Sequence, residues 1–137
     1  EEDLNRLGFE NWPRNRRLSS MMAPTLVEHA GTRIMLGSGG SNRIRTAIAQ
    51  VLCNVMHFGM QLQDAVDAPR LHLEGDVLSL ERGSPDWSGA ADSWLEDGFP
   101  DARRWAGRSL YFGGVHAVTD DDQAADPRRL GAAWHSG

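Results

Sequence analysis

The stretch Leu36-Gly37-Ser38-Gly39-Gly40-Ser41-Asn42-Arg43 constrains this chain more than any other. A β-prone run at 32–36 leads into it, and a strongly apolar helical pattern at 44–58 leaves it. A turn of small residues between strand and helix can bring bare backbone N–H groups against a ligand. The helix behind it leaves its first N–H groups unpaired and carries partial positive charge at that end. Such a place suits an anion, whether a phosphate, a carboxylate or the oxyanion of an acyl-transfer transition state.

With 137 residues, the chain is expected to form a single domain, 1–137, with one modest core. Hydrophobic residues at 40% and charged residues at 24% are ordinary for a globular protein. The net charge of −5 gives no general basic footprint for nucleic acid. All 14 basic residues are Arg, which removes lysine chemistry such as a Schiff base or a phosphate-loop lysine. No run reaches the ~18–20 apolar residues of a membrane span. Cys53, the single cysteine, falls in the apolar helix, where a buried, inert thiol is expected. The opening Glu1-Glu2-Asp3-Leu4 lacks a Met and suggests the interior of a longer chain.

Along the chain, 1–17 reads as an irregular polar segment with a solvated Arg cluster. Runs at 25–28 and 32–36 around His29-Ala30-Gly31 read as a hairpin. The pattern at 43–59 predicts a core helix, with Ser41 or Asn42 as N-cap and Gly59 as terminator. A second helix at 60–68 ends at Pro69. Runs at 71–73 and 77–80 form another hairpin, and 85–98 a weaker helix. The runs 108–112 and 114–119 read as a final strand pair, followed by a turn at 120–122. Hairpins dominate over β-α-β crossovers, so the fold class is α+β, with helices packed on antiparallel sheet.

Several chemistries are excluded by pattern. The turn lacks both G-x-x-x-x-G-K-[ST] and G-x-G-x-x-G. His29, His57, His72, His116 and His135 show no metal-ligand spacing, the acidic triplet at 120–122 reads as a solvated turn, and no metal or other cofactor is expected. Ser38 does not sit in a G-x-S-x-G elbow. Ser19-Ser20 places two hydroxyls on a tight segment just before a strand.

Taken together, five stretches are specific: 18–27 (LSSMMAPTLV), 37–48 (GSGGSNRIRTAI), 50–55 (QVLCNV), 65–72 (AVDAPRLH) and 125–129 (ADPRR). In order and spacing they resemble the catalytic small subunit of the γ-glutamyltranspeptidase family. The resemblance implies an N-terminal-nucleophile hydrolase with a four-layer αββα sandwich, of which this chain is a partial copy. It implies an enzyme, a γ-glutamyltransferase or glutathione hydrolase, acting through a γ-glutamyl acyl-enzyme passed to water or an amine. In that family a Thr exposed by self-cleavage is the nucleophile, its α-amino group serving as base. That Thr is expected upstream of Glu1, because none of Thr25, Thr32, Thr46 or Thr119 sits in the matching motif. The chain alone is therefore expected to be inactive, with a large subunit and the N-terminal part of the small subunit as partners. Open strand edges add to this expected dependence.

Position by position, the resemblance assigns Ser19 and Ser20 to the α-carboxylate of the γ-glutamyl group and Asp3 to its α-amino group. The turn corresponds to the oxyanion hole. The common family pattern Gly-Ser-Pro-Gly-Gly-Ser meets Gly39 here in place of Pro, which puts the donors at Gly40 and Ser41, or at Gly39 and Gly40 after a one-residue slip. By resemblance to bacterial members the compartment is periplasmic or extracellular, or cytoplasmic. The competing expectations are a related N-terminal-nucleophile acylase and a degenerate, non-catalytic family member that binds carboxylates or serves as a scaffold.

Overall fold

β1 (Thr25–His29) and β2 (Thr32–Gly39) form the expected antiparallel hairpin, with Thr25 opposite Leu36 and His29 opposite Thr32. Positive φ at Ala30 and Gly31 gives the turn the twist that suits a two-residue loop. A computed structural model of the chain describes residues 19–81 and 98–134, together with 8, 11 and 13–17. Asp3, His135 and the 85–97 part of the expected third helix lie outside the described residues.

α1 (Arg43–Met56) follows the turn and buries Ile44, Ala47, Ile48 and Val51 on β2. Each large side chain so buried contributes roughly 1.5–3 kcal/mol. The helix ends as the sequence suggests: Gly59 takes φ 65, and the Met60 N–H reaches back to the Asn54 carbonyl at 3.0 Å. α2 (Leu62–Asp67) adds Leu62, Ala65 and Val66 to the same core, and Ala68-Pro69 stops it.

β6 (Gly114–Val118) pairs antiparallel with β2, and β7 (Gln123–Ala124) pairs with β6, giving a four-stranded sheet in the order β1-β2-β6-β7. Ile34, Leu36, Val115, Ala117 and Ala124 point toward the helices. Leu26, Met35 and Val118 remain exposed. A smaller sheet joins β3 (Leu71–Glu74), β4 (Val77–Glu81) and β5 (Arg103–Trp105). Leu78 and Leu80 form its small core with Phe99 and Ala102.

Three readings are corrected. The run 108–112 is not a strand: Leu110–Phe112 is a 3-10 turn, opened by Ser109, whose hydroxyl accepts from the Tyr111 N–H. The missing strand partner of β6 is instead β2, from the other end of the chain. The sheets are not purely antiparallel, since β4 and β5 run parallel. Cys53 is exposed rather than buried, because the core stripe of α1 stays on the Ala47–Val51 side.

The pieces meet at a buried ionic cluster. The Arg128 Nε donates to both oxygens of Glu81 at 2.9 and 3.0 Å, and its other nitrogens reach the carbonyls of Val66 and Ala68. Arg70 pairs with Asp126 at 2.7 Å and donates to the carbonyls of Val66 and Phe112. Asp126 accepts from the N–H of Val115 and of Arg128, and Glu81 from the N–H of Ser109 and of Arg70. Two guanidinium groups and two carboxylates balance in charge, and each carboxylate oxygen has a donor.

Burial alone would raise the Asp126 carboxyl. Arg70, the two N–H donors and Arg128 outweigh it and hold the group below its ordinary value. A carboxyl depressed on folding stabilises the fold above its unfolded value and loses that contribution as pH falls through the folded one. The urea midpoint should therefore fall as pH drops below about 4, near the unfolded Asp value. Asp126→Asn should cost about 3–5 kcal/mol at pH 7, since it strands Arg70 without a counter-charge, and should flatten that acid limb. A variant as stable as wild type in urea at pH 7 would refute this.

Candidate functional site

The strand-to-helix turn is held by close backbone contact rather than by a capping side chain. Asn42 occupies the cap position of α1 but makes no capping hydrogen bond; its amide donates to Glu74 instead. Gly40 has φ 131, and a Cβ built on it would lie 2.7 Å from the Gly113 Cα. Only glycine satisfies both the dihedral and the space. Ser41 follows at φ 57, a left-handed conformation that non-glycine residues adopt at a cost. Asn42 then turns right-handed at φ −56 and ψ −24. Successive residues of opposite hand make their N–H groups converge into an anion-binding concavity. Among the described residues, no acceptor pairs with the N–H of Gly40 or of Ser41.

Ser20 lies across a cleft of about 600 Å³ from this turn. The cleft is bounded by Ser20 and Met21 on one side, Ser41, Asn42 and Arg45 on another, and Glu74 on the third. The Ser41 hydroxyl contacts the Met21 sulfur at 3.3 Å, which ties the serine segment to the turn. Ser20 Oγ accepts from the Met22 N–H at 3.1 Å, so its own hydrogen is free to donate. The structure thus brings Ser20 and Ser41 to one cleft, with Gly40 next to Ser41 in the chain but not lining it. Ser19 is exposed and does not line the cleft, and Asp3 is outside the described residues.

Arg43 fixes the first turn of α1. Its Nε donates to the Tyr111 carbonyl at 3.1 Å and its guanidinium sits 4.7 Å over the Tyr111 ring. Glu74 takes the Asn42 amide and approaches Arg43 at 3.8 Å. Behind it, buried His72 contacts Thr46 Oγ1 through Nδ1 at 2.9 Å. Burial pushes the His72 imidazole below its ordinary value, Glu74 pulls the other way, and Arg43 and Arg45 add to the depression. The ring is neutral at neutral pH. Arg45 has no ion-pair or hydrogen-bond partner among the described residues. Its place on the polar side of α1 was legible in the sequence, but its role in the cleft was not, because the facing wall comes from the β3–β4 hairpin.

Helices stacked on one face of a mainly antiparallel sheet, with an anion-ready turn leading into the central helix, place the chain in the N-terminal-nucleophile hydrolase class, of which it is a partial copy. The transpeptidase CapD of Bacillus anthracis superposes with a TM-score of 0.74 at 28% identity, over 90% of this chain and 75% of that one. The γ-glutamyltranspeptidase of Pseudomonas nitroreducens superposes at 0.71 and 27% identity, over 92% of this chain and 67% of that one. Residues 6–135 match the family profile described as Gamma-glutamyltranspeptidase, and the chain belongs to that family. The glutathione hydrolase proenzyme of Pseudomonas sp. (strain A14) is 40% identical over 84 residues, 58% of this chain. The match spans only 15% of that protein's length.

The turn geometry makes a paired prediction. Gly40→Ala should destabilise the chain by about 1–3 kcal/mol, through the positive φ and the clash with Gly113. Gly37→Ala, two residues before the glycine pair in a strand with nothing within 4 Å of the new methyl, should be neutral or slightly stabilising. Urea denaturation of both variants checks the contrast, and equal midpoints would refute the close-approach argument.

Proposed function

We propose that this chain is the C-terminal part of the catalytic small subunit of an enzyme that cleaves γ-glutamyl amides, including glutathione. The observation that supports it is the cleft lined by both Ser20 and Ser41, at a turn whose Gly40 and Ser41 N–H groups have no acceptor among the described residues. Ser20, with Ser19 beside it, holds the α-carboxylate of the γ-glutamyl head, and the unpaired Arg45 supplies charge of the right sign at the cleft wall. Asp3 holds the α-amino group. The scissile carbonyl oxygen rests on the N–H groups of Gly40 and Ser41. This register is supported by Gly39 closing the β2 ladder opposite Gly114, whereas Gly40 and Ser41 lie beyond it.

A Thr hydroxyl of the companion, the N-terminal part of the small subunit, attacks the γ-carbonyl carbon, giving up its proton to the Thr α-amino group. The carbonyl electrons collect on the oxygen facing the turn, then return as the amine leaves with that proton. Water or a second amine releases the acyl group by the reverse path. Each donor lost from such a hole costs ~2.7–4 kcal/mol of transition-state stabilisation. The companion also covers the exposed Leu26, Met35 and Val118, which lie on the sheet face away from the helices. An αββα sandwich packs a second sheet on that side.

Release of p-nitroaniline from γ-glutamyl-p-nitroanilide tests the reading. The chain alone should release none, and the chain combined with the companion polypeptide carrying the Thr should release it. In the combined enzyme, Ser20→Ala should raise KM roughly 10-fold or more with a smaller change in kcat, as expected for lost hydrogen bonds to a charged group. Turnover by the isolated chain, or an unchanged KM, would refute the assignment.

A further inference from the structure

The anion-ready turn has a second neighbour, at the end opposite Ser20. Gly39 and Gly114 face one another across the β2–β6 ladder, and their missing side chains leave a flat backbone floor. The Arg129 side chain lies in that slot. A Cβ on Gly114 would come within 2.6 Å of the Arg129 Cγ and Cδ, and one on Gly39 within 3.1 Å of its guanidinium carbon. An Arg129 terminal nitrogen is 3.8 Å from the corresponding position on Gly40. The Pro of the common family pattern would fill the space at Gly39 that the guanidinium occupies here.

Arg129 is exposed, and among the described residues it has no ion-pair or hydrogen-bond partner. Its backbone is nevertheless fixed. The Arg129 N–H bonds the Asp126 carbonyl at 3.2 Å, in a 3-10 turn, Pro127–Arg129, whose Asp126 and Arg128 belong to the buried ionic cluster. An uncompensated guanidinium is therefore held by a rigid turn beside the N–H groups that face the scissile carbonyl. A planar fork of donors in such a place matches a carboxylate.

Resting on the γ-glutamyl reading above, we propose that Arg129 is a specificity-determining residue that binds a carboxylate on the amine side of the scissile amide. The argument is one of direction. With the α-carboxylate at Ser20 and the carbonyl oxygen on Gly40 and Ser41, the amine side extends past the Gly39 end of the turn, where Arg129 lies. Amino acids and peptides linked through their amine are then favoured over neutral amines, both as leaving groups and as acceptors.

Binding to the chain combined with its companion, the nucleophilic Thr replaced by Ala so that the probes are not consumed, followed by NMR titration, separates this proposal from the reading beneath it. The probes are γ-glutamylglycine, which carries the amine-side carboxylate, and γ-glutamyl methylamide, which lacks it. Wild type should bind the glycine adduct at least fivefold more tightly, one fully formed charge-assisted contact, and the Arg129 Nε–H resonance should shift with that ligand alone. Arg129→Gln should abolish the preference and leave methylamide affinity unchanged, whereas Arg129→Lys should retain part of it. Gly114→Ala, which pushes the Arg129 stem from its slot while keeping the charge, should reduce the preference. Ser20→Ala should weaken both ligands alike. Equal affinity for the two probes in wild type, or a preference that survives Arg129→Gln, overturns the Arg129 proposal alone. No binding of either probe overturns the γ-glutamyl reading, and this proposal falls with it.

Discussion

Arg128 and Glu81 are 47 residues apart in sequence, and their buried contact is the point at which the two sheets are joined. Arg128 reaches the end of α2 and of β4, and Arg70 reaches the Leu110–Phe112 turn while Asp126 fixes the first residues of β6. Such a cluster is weak grounds for high stability, because desolvating four charges offsets most of their attraction. It is strong grounds for a single arrangement. Any shift of α2, β4 or β6 that breaks one contact leaves a charge buried without a partner, which costs several kcal/mol. The cluster therefore acts less as glue than as a register pin.

What it pins is the backbone around the turn. Asp126 holds the Val115 N–H, so β6 starts at a fixed height beside β2. That height sets Gly113 against Gly40, and the contact is close enough to exclude any side chain. From this follow the positive φ at Gly40 and the left-handed Ser41 behind it. The strain at the turn is local, but it is sustained by ions buried outside the cleft. In this fold the turn geometry and the salt cluster are one mechanical unit.

The local parts of this arrangement were legible in the sequence. The β1–β2 hairpin, the core stripe of α1 and its Gly59 terminator, α2 and the β3–β4 hairpin are each specified within about twenty residues, by periodicity and turn chemistry. The non-local parts were not. The run at 108–112 alternates like a strand, yet β2 already pairs with β6, and Ser109 is drawn to Glu81 instead. The short β5 and β7 have no pattern of their own and exist because a neighbouring edge is available. Glu81 ends an apolar strand, nothing around it in sequence marks it as buried, and only the fold brings two arginines to it. Ser20 and the glycine turn are singled out by family resemblance, whereas Arg45 and Arg129 are brought to the cleft wall and to the Gly39–Gly114 slot only by the fold.

The exchange of Pro for Gly39 shows why a single-residue departure is better read in three dimensions than along the chain. By sequence alone it loosens a turn, since glycine has more unfolded conformations to lose. In the fold the turn is held from outside, by Gly113 at one side and by the cluster through β6, so it does not need proline's rigidity. The space beside Gly39 is taken by a guanidinium whose turn is anchored in the same cluster. Glycine at this position therefore admits charge beside the turn without disturbing the contacts that hold its backbone. Where a turn is held by backbone contacts from outside, the side chains around its N–H groups are free to change without moving them.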